Sequence, residues 1–385
     1  MSFARRVRSA VLYLLVTGTI FCVAGEILSR AVNLPDRVNG FPRRLYVATD
    51  DPSLPYTLRP GLTTMLRGIP VHVNEFGLRG PAVSAVPAPG VHRVLALGDS
   101  ATFGERLPAE EAFPAVLERE LTARSRERWE VLNAGVQGYN TEDELAFLRS
   151  RGLALRPETV VVGFNLNDFD WSPVIGPLGI LSYDRNARVS RWSPANVSEF
   201  YLALRWLVIT RGRFLGADPT TPATFEPTPG ERFVAFDRAV SAYRKRYYEH
   251  PTDDRWQVLV DSLHGLAETT RANGLRLVVA LIPDGDQFDG ATPPFVPQTK
   301  LLAICADAGL DCLDLWSAFA AAGGSDLYFD IMHPNAPGQR VVAHALADRL
   351  LGGGSASLDV AERPQLFEHR GIEPPVGRAG RRRRG

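Results

Sequence analysis

The chain has 385 residues, of which 45% are hydrophobic, and its 43 basic and 43 acidic residues give a formal net charge of zero. This composition is typical of a globular protein with a full core and excludes a chain that is disordered throughout. The balanced charge leaves no basic footprint of the kind that nucleic-acid binding requires, so no nucleic-acid partner is expected.

The N-terminus has the pattern of a membrane anchor. Three arginines within the first eight residues precede a mostly apolar run from Ala10 to Leu28. The run is nearly long enough to span a bilayer, and only Val23-Ala24-Gly25 resembles, weakly, a signal-peptidase site. We predict that residues 1–30 form a signal anchor in the inner membrane, with a cleaved signal peptide as the alternative. The positive-inside rule then places the rest of the chain outside the cytoplasm.

Residues 31–90 are rich in proline and glycine and contain one short alternating stretch, Pro70 to Asn74. Alternation between turn residues predicts a small β-type lead-in. The Pro- and Ala-rich end of this segment, residues 80–90, is interpreted as a linker to the main domain.

From residue 91 to residue 351, apolar strands alternate with helical patterns. The strands are predicted at 94–97, 129–132, 159–162, 275–282 and 312–315, and the helices at 109–124, 142–151, 255–272, 298–307 and 337–351. Repeated β-α units predict a parallel sheet with helices on both faces, an α/β fold of three layers.

Polar residues follow the predicted ends of these strands. The first strand runs through Gly98 into Asp99 and Ser100, a sequence that is also ordinary turn chemistry. The other polar sites follow later strands: Gly138, Asn167, and the pair Asp330 and His333. Because the carboxyl ends of parallel strands share one rim of a sheet, we expect these residues to meet there.

Together these residue types fit acyl transfer. The Ser100 hydroxyl needs a base, which His333 can provide, and His333 needs a carboxylate such as Asp330 to fix its tautomer. A developing oxyanion needs donors, and the N–H groups of Ser100 and Gly138 and the side-chain amide of Asn167 can supply them. The sequence has no CxxC or HExxH motif, and we expect neither a metal nor a cofactor.

These blocks resemble those of the SGNH, or GDSL-type, hydrolase superfamily. The matching segments are GDSATFG at 98–104, NAGVQGYNT at 133–141, Asn167-Asp168 and DIMH at 330–333. The resemblance covers about residues 91–351 and implies a flavodoxin-like α/β/α fold and esterase or lipase activity. It also implies a role for each site residue: Ser100 as nucleophile, His333 as base with Asp330 as its partner, and Ser100, Gly138 and Asn167 as the oxyanion hole.

The chain departs from the family pattern at two positions. Ala101 stands where the GDSL name has leucine, and Asn165 stands where a glycine usually precedes the third block. The anchor, followed by the lead-in sequence at 74–80, also resembles membrane-tethered members found among bacterial surface-polymer genes.

The insertion at 169–254 is interpreted as a helical cap over the substrate pocket. Its apolar run 201–209 is too short to span a bilayer, which favours a helix packed over the sheet edge. Residues 244–248, RKRYY, are either a surface for a sugar polymer or an ordinary exposed helix face. Residues 352–385 carry four consecutive arginines, 381–384, just before the final glycine, and their composition predicts a disordered basic tail.

The three cysteines are interpreted from their positions. Cys22 lies within the apolar run and is interpreted as a membrane-helix residue. Cys305 and Cys312 are spaced so that they can close a short disulfide loop or remain two buried thiols.

The sequence therefore predicts an extracytoplasmic serine ester hydrolase that acts through an acyl-enzyme. The residues after Ser100, up to Pro108, are mostly small or polar, which favours a short acyl group such as acetate on a surface carbohydrate. The alternatives are an acyltransferase of the same fold, a lipase or lysophospholipase, and a catalytically idle binding module.

Overall fold

The computed structural model describes residues 3–32, 45–169, 174–175, 181–182, 198–201, 203–204, 254–288 and 296–352. The α-helices are α1 Phe3–Ala31, α2 Ser100–Phe103, α3 Phe113–Ser125, α4 Thr141–Ser150, α5 Asp254–Ala272, α6 Val296–Ala308, α7 Trp316–Ala322 and α8 Ala336–Leu350. The strands are β1 Tyr46–Ala48, β2 Tyr56–Leu58, β3 Thr63–Leu66, β4 Ile69–His72, β5 Val91–Gly98, β6 Arg128–Gly135, β7 Thr159–Phe164, β8 Val174–Ile175, β9 Leu181–Ser182, β10 Arg276–Leu281 and β11 Asp311–Asp314.

The central sheet has five parallel strands in the order β11-β10-β7-β5-β6. If these five strands are numbered 1 to 5 in chain order, their order from the β6 edge is 2-1-3-4-5. This is the flavodoxin-like order. The predicted α/β/α class is confirmed. The next two strands in the chain, β6 and β7, pair with opposite edges of β5. A crevice therefore opens between the carboxyl ends of β5 and β7, where such sheets bind ligands.

The sheet buries both faces, as parallel sheets with crossover helices do. Leu95 and Leu97 of β5 belong to one hydrophobic cluster, with α4 and α5, whereas Val94 and Ala96 belong to the other, with α3 and α8. The alternation follows from the two-residue period of a strand. It gives one core on each side of the sheet and holds the strand ends rigidly at the rim.

One predicted helix differs from the observed structure, and the short helices α2 and α7 have no counterpart among the predicted helices. The single helix predicted at 109–124 is a 3₁₀ turn, Ala109–Glu111, followed by α3, with Ala112 extended between them. Pro114 lies in the first turn of α3, where its missing N–H costs no intrahelical bond, so the helix begins there. Helix α7 was not predicted, because its seven residues are too few to show a helical period.

The lead-in consists of two antiparallel hairpins, β1–β2 and β3–β4. Its apolar side chains, including Leu45, Tyr56 and Leu78, belong to the core cluster on the α4 and α5 side. Arg79 is buried, and its guanidinium donates to the carbonyl oxygens of Phe103, Gly104 and Leu107. Burial lowers the pKa of Arg79 to about 10, so the side chain remains a cation at neutral pH. The lead-in therefore binds the loop that follows Ser100.

Helix α1 is long and apolar enough to cross a membrane: Val7–Ala31 has a mean hydropathy of 2.0 in its most apolar window, and none of that window is buried. Near its end, the Glu26 carboxylate accepts hydrogen bonds from the Ser198 hydroxyl (2.8 Å) and from the N–H groups of Glu199 (3.1 Å) and Phe200 (3.0 Å). The rings of Phe21 and Phe200 meet edge to face, with centroids 5.3 Å apart.

Several predictions concern residues outside the described ranges. They include the basic aromatic segment 244–248, most of the insertion 169–254 and the tail from residue 353. The domain boundaries themselves also stay predictions. Of the cysteines, Cys22 is exposed on α1, and Cys305 and Cys312 form a disulfide between α6 and β11.

Candidate active site

Ser100 is the first residue of α2 and lies two residues after the end of β5, with Asp99 between them. Gly98 ends the strand with φ 152°, and a Cβ atom there would come within 2.0 Å of the Thr102 hydroxyl, so only glycine fits this turn. The Asp99 carboxylate accepts a hydrogen bond from the Ala101 N–H (2.8 Å) and caps the helix. The sharp turn and the cap fix the position of Ser100 at the rim.

Ser100, His333 and Asp330 form a continuous hydrogen-bonded chain. The Ser100 Oγ lies 2.9 Å from the His333 Nε2, and the His333 Nδ1 lies 2.8 and 2.9 Å from the two carboxylate oxygens of Asp330. The structure thus brings together three residues that sequence reasoning had placed on one rim. With the Asp330 carboxylate as the acceptor at Nδ1, Nε2 is the ring nitrogen that faces the Ser100 hydroxyl.

The loop that carries His333 is held by local bonds. The Asp330 Oδ1 accepts from the N–H groups of Met332 (3.1 Å) and His333 (3.0 Å), so the carboxylate orients the backbone as well as the imidazole. Asn335 then caps α8 through the Gly338 N–H. The Asp330 carboxylate therefore stabilises the turn that carries His333.

Electrostatics stabilise the charged form of this pair. Burial alone lowers the pKa of His333, but the charge and hydrogen bond of Asp330 outweigh burial and raise the pKa above its usual value. Burial raises the pKa of Asp330, whereas His333 and then Arg106 lower it, so the pKa stays well below its usual range. The Arg106 Nη2 lies 3.1 Å from the Asp330 Oδ2.

Asn167 lies on a 3₁₀ turn, Leu166–Phe169, directly after β7. Its Nδ2 donates to the Asp99 Oδ2 at 2.7 Å, which ties it to the residue before Ser100. An amide nitrogen carries two hydrogens, so one remains for a ligand at the rim. Burial raises the pKa of Asp99, and the bond from Asn167 opposes this effect.

Asn165, which replaces the usual family glycine, links two loops of the rim. Its side chain is buried, and its Nδ2 donates to the Met332 carbonyl at 3.1 Å. Its Oδ1 accepts from the N–H of Leu166 (3.0 Å). The residue therefore joins the loop of Asn167 to the residue just before His333.

Gly138 occupies a turn after β6, closed by the bond from the Tyr139 N–H to the Val136 carbonyl (3.1 Å). Its φ of 79° is left-handed, which a type II turn requires at this position. The Val136 N–H donates to the Gly98 carbonyl at 3.0 Å, which holds the turn beside the end of β5. Among the described residues, the Gly138 N–H has no protein acceptor.

A group of buried carboxyl side chains lies behind the rim: Asp99, Glu144 and Asp168. Burial and the neighbouring acids raise the pKa values of Glu144 and Asp168 well above their usual range. Within the described chain, neither carboxylate oxygen of Glu144 has a hydrogen-bond partner. The protonated form is therefore favoured. No group of three or more His, Cys, Asp or Glu side chains that could hold a metal ion is found in the described ranges.

Sequence reasoning assigned no role to several residues that lie at or behind the site: Tyr56, Arg79, Arg106, Glu144 and Asn165. Asn165 carried a signal, since it was noticed as a departure from the family pattern. The lead-in motif around Arg79 was noticed too, but nothing in one sequence indicates which carbonyl groups a buried arginine will bind.

Comparison with known proteins identifies the family to which the chain belongs. Residues 96–341 match the model of the GDSL-like lipase/acylhydrolase family, which is more than half of the chain. The chain belongs to this family. The resemblance drawn from its sequence blocks is confirmed, and this GDSL-like hydrolase is accordingly a serine ester hydrolase, as predicted.

No curated protein matches the chain as a relative. Among solved structures, a lipase/acylhydrolase from Enterococcus faecalis is 14% identical, with 68% of this chain and 96% of that chain covered and a TM-score of 0.38. A catalytic mutant of an acetylxylan esterase from Geobacillus stearothermophilus is 16% identical, with 69% and 97% covered and a TM-score of 0.40. A GDSL-like lipase from Bacteroides thetaiotaomicron is 11% identical, with 68% and 89% covered and a TM-score of 0.35.

Proposed function

We propose that this hydrolase cleaves esters outside the cytoplasm through an acyl-enzyme on Ser100. The observation that carries the proposal is the hydrogen-bonded chain from Ser100 through His333 to Asp330. The Ser100 Oγ attacks the ester carbonyl carbon while its proton passes to the His333 Nε2. His333 then gives this proton to the leaving alcohol, and acyl-Ser100 remains.

Water completes the cycle in the same geometry. His333 takes a proton from a water molecule, which attacks the acyl carbon, and the proton returns to Ser100 as the carboxylic acid leaves. Both steps pass through a tetrahedral oxyanion. The N–H groups of Ser100 and Gly138 and the Nδ2 of Asn167 are its proposed donors, which in such sites contribute through preorganisation.

Substitution of the nucleophile tests this mechanism. Ser100→Ala removes the attacking oxygen and should reduce kcat by several powers of ten without unfolding the protein. Ser150→Ala is the control, because Ser150 donates to the Ala146 carbonyl within α4, away from the rim. Near-normal turnover by Ser100→Ala would eliminate the mechanism.

The proposed location rests on α1 and its contacts. The arginines before the apolar run favour a cytoplasmic N-terminus. The contacts of Glu26 and Phe21 with residues 198–200 support retention of the helix as an anchor, since cleavage would remove them. A phosphatase reporter fused after residue 32 should be active in a bacterial host, and the mature protein should keep its N-terminus. A silent fusion at normal expression would contradict export.

The proposed substrate is a short acyl ester, such as an acetyl ester, of a surface carbohydrate. The charged Arg106 lies beside Asp330 with about a third of its side chain exposed (32%), and an apolar acyl chain that covered it would have to desolvate the guanidinium. The kcat/KM for p-nitrophenyl esters of two to sixteen carbons should therefore fall with chain length. A maximum at the long end would instead support a lipase.

A further inference from the structure

Two buried tyrosines lie beside the Gly138 turn, and the hydroxyl of each donates a hydrogen bond to a backbone carbonyl. The Tyr56 hydroxyl donates to the Gln137 carbonyl at 2.8 Å, and the Tyr139 hydroxyl donates to the Tyr56 carbonyl at 2.6 Å. Their rings meet edge to face with centroids 5.4 Å apart, and both side chains are buried. Tyr56 comes from β2 of the lead-in, 81 residues before Gln137.

The Gln137 carbonyl and the Gly138 N–H belong to one peptide unit. A trans peptide is planar, so its C=O and N–H point in opposite directions. The bond from Tyr56 therefore fixes the direction of the Gly138 N–H, which points away from the lead-in core. This unit is the central peptide of the turn, and glycine at the left-handed position lets it rotate unless something holds it.

We propose that Tyr56 is a positioning residue that holds the Gly138 N–H toward the oxyanion. The proposal rests on the function proposed above, in which Gly138 is an oxyanion donor. A hydrogen bond to a peptide carbonyl also polarises the N–H of the same unit, so Tyr56 strengthens the donor that it orients. The hydroxyl acts through the peptide and does not contact the substrate.

The proposal gives the lead-in a catalytic consequence. Tyr56 lies outside residues 96–341, the part of the chain that matches the family model. The hydrolase domain therefore depends on a preceding segment for part of its oxyanion hole. Arg79, which binds three carbonyl groups of the loop after Ser100, anchors the same lead-in against the site.

The test compares two variants that each lose one hydroxyl from the same pair. Tyr56→Phe removes the bond to the Gln137 carbonyl, whereas Tyr139→Phe removes the bond to the Tyr56 carbonyl and the interaction with the Thr57 side chain. We expect Tyr56→Phe to lower kcat by roughly 10-fold or more with KM nearly unchanged, since an oxyanion donor acts in the transition state. Tyr139→Phe should keep nearly the parent kcat with a similar loss in Tm.

Two further measurements separate positioning from stability. A trifluoromethyl ketone inhibitor forms an oxyanion with the nucleophile. Tyr56→Phe should therefore lower the affinity for this inhibitor by a much larger factor than it raises KM. If Tyr56→Phe does not fold, mono- and difluorotyrosine at position 56 keep the hydroxyl and strengthen its donation, and kcat should then rise or hold with donor strength.

The outcomes distinguish this inference from the function on which it rests. If Ser100→Ala is inactive but Tyr56→Phe matches Tyr139→Phe in kcat and in inhibitor affinity, the positioning role is wrong and the proposed mechanism stands. If Ser100→Ala is active, the proposed function fails first. A fall in kcat with donor strength in the fluorotyrosine series would also overturn the positioning role.

Discussion

The Arg106 guanidinium lies 3.1 Å from the same Asp330 oxygen that lies 2.9 Å from the His333 Nδ1. Asp330 is thus shared between an imidazole and a permanent cation. The cation lowers the pKa of Asp330 and competes with His333 for its charge. The pH dependence of the hydrolase should therefore respond to Arg106.

Arg106→Asn should move the acid limb of the kcat/KM profile to higher pH, by up to about one unit. Without the guanidinium, the Asp330 charge acts on His333 alone and stabilises the imidazolium further, so a higher pH is needed to obtain the neutral base. Asparagine is chosen because Arg106 has φ 62°, a backbone conformation that asparagine tolerates. Arg106→Lys keeps the charge and should leave the limb nearly in place; a limb that moves to lower pH in Arg106→Asn would contradict this account.

The raised pKa of His333 also predicts the parent profile. Since the base must be neutral, kcat/KM should fall as pH drops through a pKa above the usual histidine value of about 6.5. Asp330→Asn removes the charge that raises the pKa, so it should move the acid limb down while reducing kcat strongly. A parent limb below pH 6 would show that the imidazolium is not stabilised as described.

Asn167→Ala should reduce kcat by about 10² to 10³ with little change in KM, because it removes one of the proposed oxyanion donors. The same change removes the bond to Asp99 and should raise the pKa of Asp99 further. Asn273→Ala serves as a control, since its amide donates to the Thr269 carbonyl at the end of α5, remote in sequence from the rim loops. If Asn167→Ala keeps the parent kcat, the proposed role of Asn167 as an oxyanion donor is wrong.

Asn165→Ala should lower kcat by roughly 10-fold and cost about 1 kcal/mol of stability, because the Met332 carbonyl loses its buried donor and the His333 loop is held less firmly. Asn273→Ala is again the control, because its amide donates to the Thr269 carbonyl at the end of α5 and not to the His333 loop. Equal kcat losses in the two variants would assign the effect to stability alone.

Glu144→Gln should flatten the pH dependence of stability. The pKa of Glu144 is well above the value near 4.3 of an unfolded chain, so between these values the folded state binds more protons. The free energy of unfolding therefore decreases as pH rises through this window, and the glutamine variant lacks the decrease. Measured by Tm from pH 5 to 8, the gain of Glu144→Gln over the parent should grow with pH. Glu142→Gln, on the exposed face of the same helix, is the control.

The sequence alone predicts those parts of the fold and the site whose signal lies within a short stretch of residues. Ser100, Gly138 and Asn167 each lie in a short block just after a strand, and the rule that parallel strands share a rim places these blocks together. Asp330 and His333 instead lie between α7 and α8, well after the last strand, and their own short block DIMH identifies them. The predicted helix ends lie within a few residues of the observed ones, because the signals for helix ends are also local. Pro114 is a local signal for the helix start after Ala112.

The remaining contacts depend on three-dimensional neighbours. Tyr56 meets Gln137 only after the lead-in packs against the α4 side of the sheet, and Arg79 meets the Ser100 loop only in the folded chain. Neither contact has a periodicity or a spacing that a single sequence displays. Glu144 looks like an ordinary helix residue in the sequence, and its unusual pKa arises from burial beside two other acids.

The most direct test of the central claim is to trap the acyl-enzyme. The hydrolase is mixed with p-nitrophenyl acetate, quenched in acid within one turnover, and mapped by peptide mass spectrometry. The account predicts one acetyl group on Ser100, absent in Ser100→Ala and greatly reduced in His333→Ala. Acetylation of a different residue, with ester cleavage retained by Ser100→Ala, would contradict it.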